Sequence, residues 1–276
     1  MTAVLNCNIS FIGGGNMAQA LIGGLIARGL PATRITVADP VEKIRQLLDE
    51  KQLSTTDNNA AAIKNADIVV LAVKPQVLAG VLQPLKGLFD GKLIISIVAG
   101  AEIATLSQLT GSNRIVRVMP NTPALVETGA HGLYAHDTVE VADRDLASQV
   151  LASTGLTIWV KSEAQIDAVT AVSGSGPAYF FYMMESMIRA GKNLGLDEKT
   201  ATELTLQTAL GAAQMAITSA NTPAELRKNV TSPNGTTQAA LEVFDRAQIS
   251  QNIQVALAAA HKRSQELAFE LSEKSK

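Results

Sequence analysis

The stretch Ile9-Ser10-Phe11-Ile12-Gly13-Gly14-Gly15-Asn16-Met17-Ala18 passes from a short apolar run through three glycines into a helical pattern. The run ahead of the glycines predicts a buried strand. After it, Met17, Leu21, Ile22 and Leu25 fall at helical spacing, and Gly29 is placed to end the helix. Gly13, Gly15 and Ala18 fit the pattern G-x-G-x-x-A. One glycine makes the tight turn, and the next lets a pyrophosphate reach backbone N–H groups at the helix start. The small third residue lets helix and strand pack closely. A ligand-free glycine turn uses the same residue types, so the weight comes from the flanks. A dinucleotide is the expected ligand.

Working outward, apolar runs recur at Ile35–Ala38, Ile68–Val73, Leu93–Val98, Ile115–Val118 and Thr157–Val160, with helical segments between them. Runs without polar alternation are what parallel strands buried on both faces look like, and their alternation with helices predicts a doubly wound sheet. After about Lys161 the strand signal stops. Ser175 and Pro177 mark the start of a long helix, a second runs from near Asp197 to Thr218, and Thr222-Pro223-Ala224-Glu225 has capping-box spacing for a third. The loop Thr231–Gly235 breaks that helix. The last helix, about Ile249 to Ser272, carries an apolar stripe of Ile253, Leu257, Ala260, Leu267 and Leu271. The expected fold is α/β: an N-terminal doubly wound Rossmann-type sheet over 1–162, then an all-helical C-terminal domain over 163–276.

Composition removes other classes. The 276 residues carry 23 basic and 25 acidic side chains, so the net charge of −2 lacks the basic footprint of a nucleic-acid binder. With 47% hydrophobic and 17% charged residues, disorder is excluded. The single cysteine, Cys7, cannot close an internal disulfide. Met1–Asn8 shows no leader pattern, and the apolar stretches Ile68–Val73 and Leu93–Ala99 fall short of the ~20 residues of a membrane span. A cytoplasmic protein is expected.

Further site residues follow from position. Asp39, 39 − 15 = 24 residues after Gly15, stands where an acid bonds a ribose 2′-hydroxyl and disfavours a 2′-phosphate. It is equally placed to cap a turn before Pro40, and Arg34, Lys43 and Arg45 lie near enough in sequence to leave a basic phosphate site open. Ala72-Val73-Lys74-Pro75 and Val98-Ala99-Gly100 follow strands, where ligands of such sheets bind. Met119-Pro120-Asn121-Thr122-Pro123 reads as a stiff loop or a structural turn. Two stretches, Ser173-Gly174-Ser175-Gly176-Pro177 and Ser232-Pro233-Asn234-Gly235-Thr236-Thr237, put hydroxyls and free N–H groups at helix starts, which suits either a small carboxylate or plain capping. His131, His136 and His261 stand in no motif and read as surface or turn residues, and no Cys/His cluster has metal spacing. Tyr134 has no Tyr-x-x-x-Lys partner, since position 138 is Thr138. A carbonyl reductase needs an acid for the developing alkoxide, whereas a protonated imine already carries the charge that draws hydride. The missing acid favours C=N over C=O.

Five stretches together resemble the pyrroline-5-carboxylate reductase family: Phe11–Ala18, Ala72–Gln76, Met119–Ala124, Ser173–Tyr179 and Asn229–Thr237. The resemblance implies a helical domain that dimerises with its twin, dimers joining into a ring, and hydride transfer from NADPH or NADH to 1-pyrroline-5-carboxylate. It places Ile12, Gly13, Gly14, Gly15, Asn16, Met17, Ala18, Asn59, Ala72, Val73, Lys74, Pro75, Val98, Ala99 and Gly100 at the cofactor. Glu163, Asn229, Val230, Ser232, Gly235, Thr236 and Thr237 would surround the substrate, with Thr237 nearest the ring nitrogen as donor or proton relay. Three departures stand out. Asn234 replaces a glycine at a position where Asn also tolerates left-handed backbone, Ala171 replaces another, and Asp39 favours NADH in a family that often uses NADPH. The competing readings are a β-hydroxyacid dehydrogenase-like enzyme, which needs a lysine where Phe180 and Phe181 stand, and a non-catalytic NAD(P)-binding redox sensor.

Overall fold

The computed structural model describes residues 5–275. The reading of Met1–Asn8 as lacking a leader therefore falls partly outside the described residues. The chain forms two compact units, one of residues 1–175 with 260–276, the other of residues 176–259.

The first unit is an eight-stranded sheet: β1 (Ile9–Ile12), β2 (Ile35–Ala38), β3 (Ser54–Thr56), β4 (Ile68–Leu71), β5 (Leu93–Ser96), β6 (Ile115–Met119), β7 (Gly129–Ala135) and β8 (Gly155–Trp159). Their order is β3-β2-β1-β4-β5-β6-β7-β8. Neighbours pair in parallel except β6 with β7. Helices α1 (Asn16–Ala27), α2 (Glu42–Asp49), α3 (Asn59–Lys64), α4 (Leu78–Leu82), α5 (Ile103–Thr110) and α6 (Val141–Ala152) lie between the strands, and α7 (Gln165–Val169) follows the last of them. Because helices cover both faces, the strand residues feed two cores. Phe11, Val37, Val70, Ile95 and Val118 pack with Leu21 and Leu25 of α1 and Val150 of α6. Ile12, Val69, Leu71 and Ile94 pack with Ile63, Leu82 and Leu106. This two-sided burial is why the runs lack polar alternation.

The sequence reading missed two strands. β3 is Ser-Thr-Thr, with no apolar signal. β7 reads Gly-Ala-His-Gly-Leu-Tyr-Ala, and its small residues are there because neighbours press in: a Cβ at Gly132 would lie 2.6 Å from Cγ1 of Val169 in α7. That packing also keeps α7 with the sheet, so the compact units divide after Ser175, later than the expected junction at 162.

The second unit holds α8 (Gly176–Asn193), α9 (Glu198–Thr218), α10 (Pro223–Asn229), α11 (Thr236–Arg246) and the first part of α12 (Ile249–Lys274). Its caps follow the sequence signals. Asp197 accepts from the Thr200 N–H at 3.0 Å, and Thr222 and Glu225 form a reciprocal capping box. Ser175 is a correction: it lies in right-handed helical backbone at the end of a π-helical turn, Thr170–Gly174, and is not an N-cap. The stripe on α12 is divided. Ser264, Ala268 and Leu271 are buried, Leu271 in the second core of the first unit, while Ile253 and Val255 are more than half exposed.

Candidate functional site

The glycine turn lies where β1 ends. Gly13 donates its N–H to the Ala38 carbonyl at 2.8 Å and has φ +101, in the left-handed region. A Cβ there would sit 2.7 Å from the Ala72 carbonyl oxygen, so only glycine fits between the carboxyl ends of β2 and β4. Over Gly15 the opposite holds, since a Cβ would meet nothing within 4 Å. Gly15 precedes α1 without any side-chain cap bond, and the first turn holds no acidic residue. The N–H groups of the α1 start are thus available, with positive helix-dipole potential and open space above them. These residues fit a dinucleotide pyrophosphate.

Asp39 is buried just beyond β2. Its Oδ2 accepts from the Gly14 N–H at 2.8 Å and its Oδ1 from the Val41 N–H at 2.9 Å. It ties the glycine turn to the start of the next helix, and each oxygen keeps a further lone pair. Arg45 donates to the Asp39 carbonyl at 2.7 Å. Arg34 precedes β2 and so stands at the amino end of the strand, away from the glycine turn, which removes it from the residues around a 2′-phosphate. Lys43 is exposed on α2.

Asn59 opens α3, behind the capping side chain of Asn58. Lys74 is exposed after β4, and Pro75 starts a 3₁₀ turn. Beyond β5, Gly100 has φ +75, and a Cβ there would lie 3.4 Å from backbone atoms of Leu267 and Ala268. Helix α12 thus backs the Val98–Gly100 turn. Ser264 of the same helix donates to Asp167 of α7 at 2.6 Å in a buried contact.

Glu163 is also held in the first unit. Its Oε1 accepts from the Ile103 N–H at 2.7 Å and from Nη1 of Arg117 at 2.9 Å. Sequence reasoning passed over Arg117, although its signal is plain: a charged residue inside the apolar strand Ile115-Val116-Arg117-Val118-Met119. Two of the expected loops are tied into the fold. Asn121 is buried, donates to the Ser173 carbonyl at 3.0 Å and accepts from the Ala130 N–H at 2.8 Å. Ser173 bonds back to the Val169 carbonyl within the helical run.

In the second unit, Asn229 ends α10 and Val230 is exposed. A tight turn follows, closed by the Gly235 N–H to the Ser232 carbonyl at 3.0 Å. Asn234 takes φ +61, the left-handed backbone that Asn tolerates. Gly235 then starts α11 without a side-chain cap bond. Among the described residues, the hydroxyls of Ser232, Thr236 and Thr237 have no partner. An uncapped helix start beside three free hydroxyls offers what a small carboxylate needs. The residues expected at the cofactor thus lie beyond the carboxyl ends of β1, β2, β3, β4 and β5. Of the residues expected at the substrate, Glu163 lies in the first unit and 229–237 in the second.

His131 corrects its surface reading. It lies in β7 at 2% exposure, and burial pushes its pKa down to about 4. Cys7 is buried in a bend ahead of β1, and burial pushes its thiol pKa up, so it is no nucleophile. Among the described residues, no three His, Cys, Asp or Glu side chains are grouped to hold a metal.

The chain matches the family described as pyrroline-5-carboxylate reductase dimerisation over residues 163–267, and that described as NADP oxidoreductase, coenzyme F420-dependent, over 8–100. It is 52% identical over 268 residues to a pyrroline-5-carboxylate reductase of Pseudomonas aeruginosa, covering 96% of this chain and 98% of that one. A solved pyrroline-5-carboxylate reductase of Coxiella burnetii superposes with TM-score 0.90 at 42% identity, covering 95% of this chain and 99% of that one. The Plasmodium falciparum pyrroline carboxylate reductase, solved with NADP bound, gives TM-score 0.87 at 31% identity, over 96% and 100%.

Proposed function

The chain belongs to the pyrroline-5-carboxylate reductase family, and from that premise we propose that it reduces the C=N bond of 1-pyrroline-5-carboxylate to L-proline with NADH or NADPH. The observation that carries this reading is the uncapped, hydroxyl-lined start of α11, in a chain whose α1 start is an open phosphate cradle. Bound NADH or NADPH supplies the hydride from its nicotinamide ring. Residues Ile12–Ala18, Asp39, Asn59, Ala72–Pro75 and Val98–Gly100 hold and orient the cofactor. Ser232, Gly235 and Thr236 take the substrate carboxylate, with Asn229 and Val230 beside them. Thr237 places its hydroxyl at the ring nitrogen, as donor or proton relay. The ring nitrogen is protonated before reduction, so hydride transfer needs no separate acid, in keeping with the absence of a Tyr-x-x-x-Lys pair, and the Thr237 hydroxyl acts on the lone pair of the neutral amine that hydride transfer leaves.

The rival β-hydroxyacid dehydrogenase reading finds Phe180 and Phe181 where it needs a lysine, and Lys192 lies in the last turn of α8. The chain works as a homo-oligomer through its helical part, which leaves Phe181, Tyr182 and Leu210 more than half exposed. Assembly of dimers into a ring is part of this proposal, as is a cytoplasmic location. Among the described residues, no helix is long and apolar enough to cross a membrane.

The test is turnover. Purified protein given the pyrroline should oxidise NADH or NADPH, and no oxidation of either defeats the proposal. Thr237→Ala should lower kcat/KM about 100-fold and leave cofactor affinity within about twofold. Unchanged turnover would mean that this loop only starts a helix.

A further inference from the structure

Arg117 is the exception in the central strands of the first unit. Its side chain is 3% exposed, in a strand whose other residues are Ile115, Val116, Val118 and Met119. A buried guanidinium is costly unless paired, and its pair is the Oε1 of Glu163, whose side chain keeps 25% of its exposure. That same oxygen also takes the Ile103 N–H at the start of α5, three residues beyond Gly100. Two donors therefore converge on one carboxylate oxygen. Among the described residues Oε2 has no protein partner, so it is the oxygen left to a ligand. A carboxylate anchored by one oxygen and open at the other suits a cationic N–H donor.

We infer that Arg117 is a positioning residue for the reduction: it fixes Glu163 so that Oε2 receives the N–H of the protonated ring, first as the iminium and, after hydride transfer, as the neutral secondary amine, which then takes its second proton from water. The inference rests on the substrate reading above. Arg117 touches neither substrate nor cofactor and acts only through Glu163. A lysine at 117 keeps the charge but loses the planar fork, so it restores the effect only partly.

The experiment compares the full-length natural protein with Arg117→Met, Arg117→Lys, Glu163→Gln and the double variant R117M/E163Q. It reads kcat and KM for the pyrroline, L-proline binding by calorimetry, cofactor affinity and melting temperature. Arg117→Met should raise KM about tenfold or more and weaken proline binding to match, with cofactor affinity within about twofold. Arg117→Lys should recover part of the loss. The double variant should bind proline no worse than Glu163→Gln alone, because both changes remove one interaction. Losses that multiply in the double variant would overturn the inference, as would a KM within about twofold of the natural value for Arg117→Met. If Arg117→Met does not fold, Glu163→Gln decides, and unchanged proline binding there overturns it. A natural chain that binds proline but fails to turn the pyrroline over would count against the reaction and leave this inference standing on binding.

Discussion

The strands β1, β4 and β5 are apolar and almost wholly buried, whereas α8, α9 and α11 leave Phe181, Tyr182, Leu210 and Phe244 about half exposed or more. The first unit closes its own core on both faces of a sheet. In the second unit, helices α8 to α11 bury only Gly176, Ala201 and Thr205. Local structure there is well specified all the same, by the Asp197 cap and the Thr222–Glu225 box. Good caps and a poor core mark a unit that forms its helices alone and completes its burial against another surface. Helix α12 shows both conditions on one element, buried at Leu271 and exposed at Ile253.

Charge placed on the exposed face should break this contrast most severely. Phe181→Glu combined with Leu210→Glu should abolish association, read as monomer mass by sedimentation, and turnover should be lost with it. An unchanged oligomer would show that this face is not the subunit contact. In that monomeric background the two ends of α12 can be compared directly. Leu271→Ala should cost about 2–4 kcal/mol of stability by denaturant unfolding, because it empties part of a packed core. Ile253→Ala, on the same helix, should cost under about 1 kcal/mol. Equal losses would mean that the second unit has a core of its own.

The same contrast decided what the sequence made legible. Strands buried on both faces announce themselves, as Ile68–Val73 did, because a short unbroken apolar run between turn residues fits a central strand and little else. β7 stayed hidden because its glycines record contacts with distant residues such as Val169, which no local pattern encodes. The N-cap reading of Ser175 failed for a related reason. Ser-Gly-Ser-Gly-Pro fits a cap, yet tertiary packing carries the helical backbone through it as a π turn. At the site, the glycine turn and the Gly235–Thr237 start are local backbone features and were readable. The Arg117–Glu163 pair joins residues 46 apart and left only an odd charge in an apolar strand.

His131 separates the units by pH. Thr154 donates its hydroxyl to the Leu151 carbonyl, so the imidazole donates through Nε2 and buries an unpaired Nδ1. Its folded pKa, about 4, lies below the ordinary 6.5. Above pH 6.5 the ring is neutral folded or unfolded, and the stability is fully present. As pH falls from 6.5 to 4 only the unfolded chain takes up the proton, and roughly 3 kcal/mol is lost. The caps at Asp197 and Glu225 have carboxyl pKa values lowered by Thr200 and Thr222, so their contribution fades only at lower pH. Calorimetry at pH 7 and pH 5 should therefore weaken the transition of the first unit and spare that of the second. His131→Phe should flatten the change, and a pH response that survives it would point to another group.

The smallest expected effect tests whether the units divide the labour. Asp39 belongs wholly to the first unit, where its two oxygens hold the Gly14 and Val41 N–H groups. A serine keeps at most one of those bonds and removes the negative charge that disfavours a 2′-phosphate. Asp39→Ser should shift the ratio of kcat/KM for NADH over NADPH about tenfold toward NADPH, ~1.4 kcal/mol of discrimination. The KM for the pyrroline should stay within about twofold, since the loop proposed for the carboxylate belongs to the second unit. If the ratio does not move, Asp39 serves the turn alone, and the choice of cofactor rests with other residues such as Arg45 on α2. If the pyrroline KM moves as much as the ratio, the glycine turn and the hydroxyl loop are coupled and the division of labour fails.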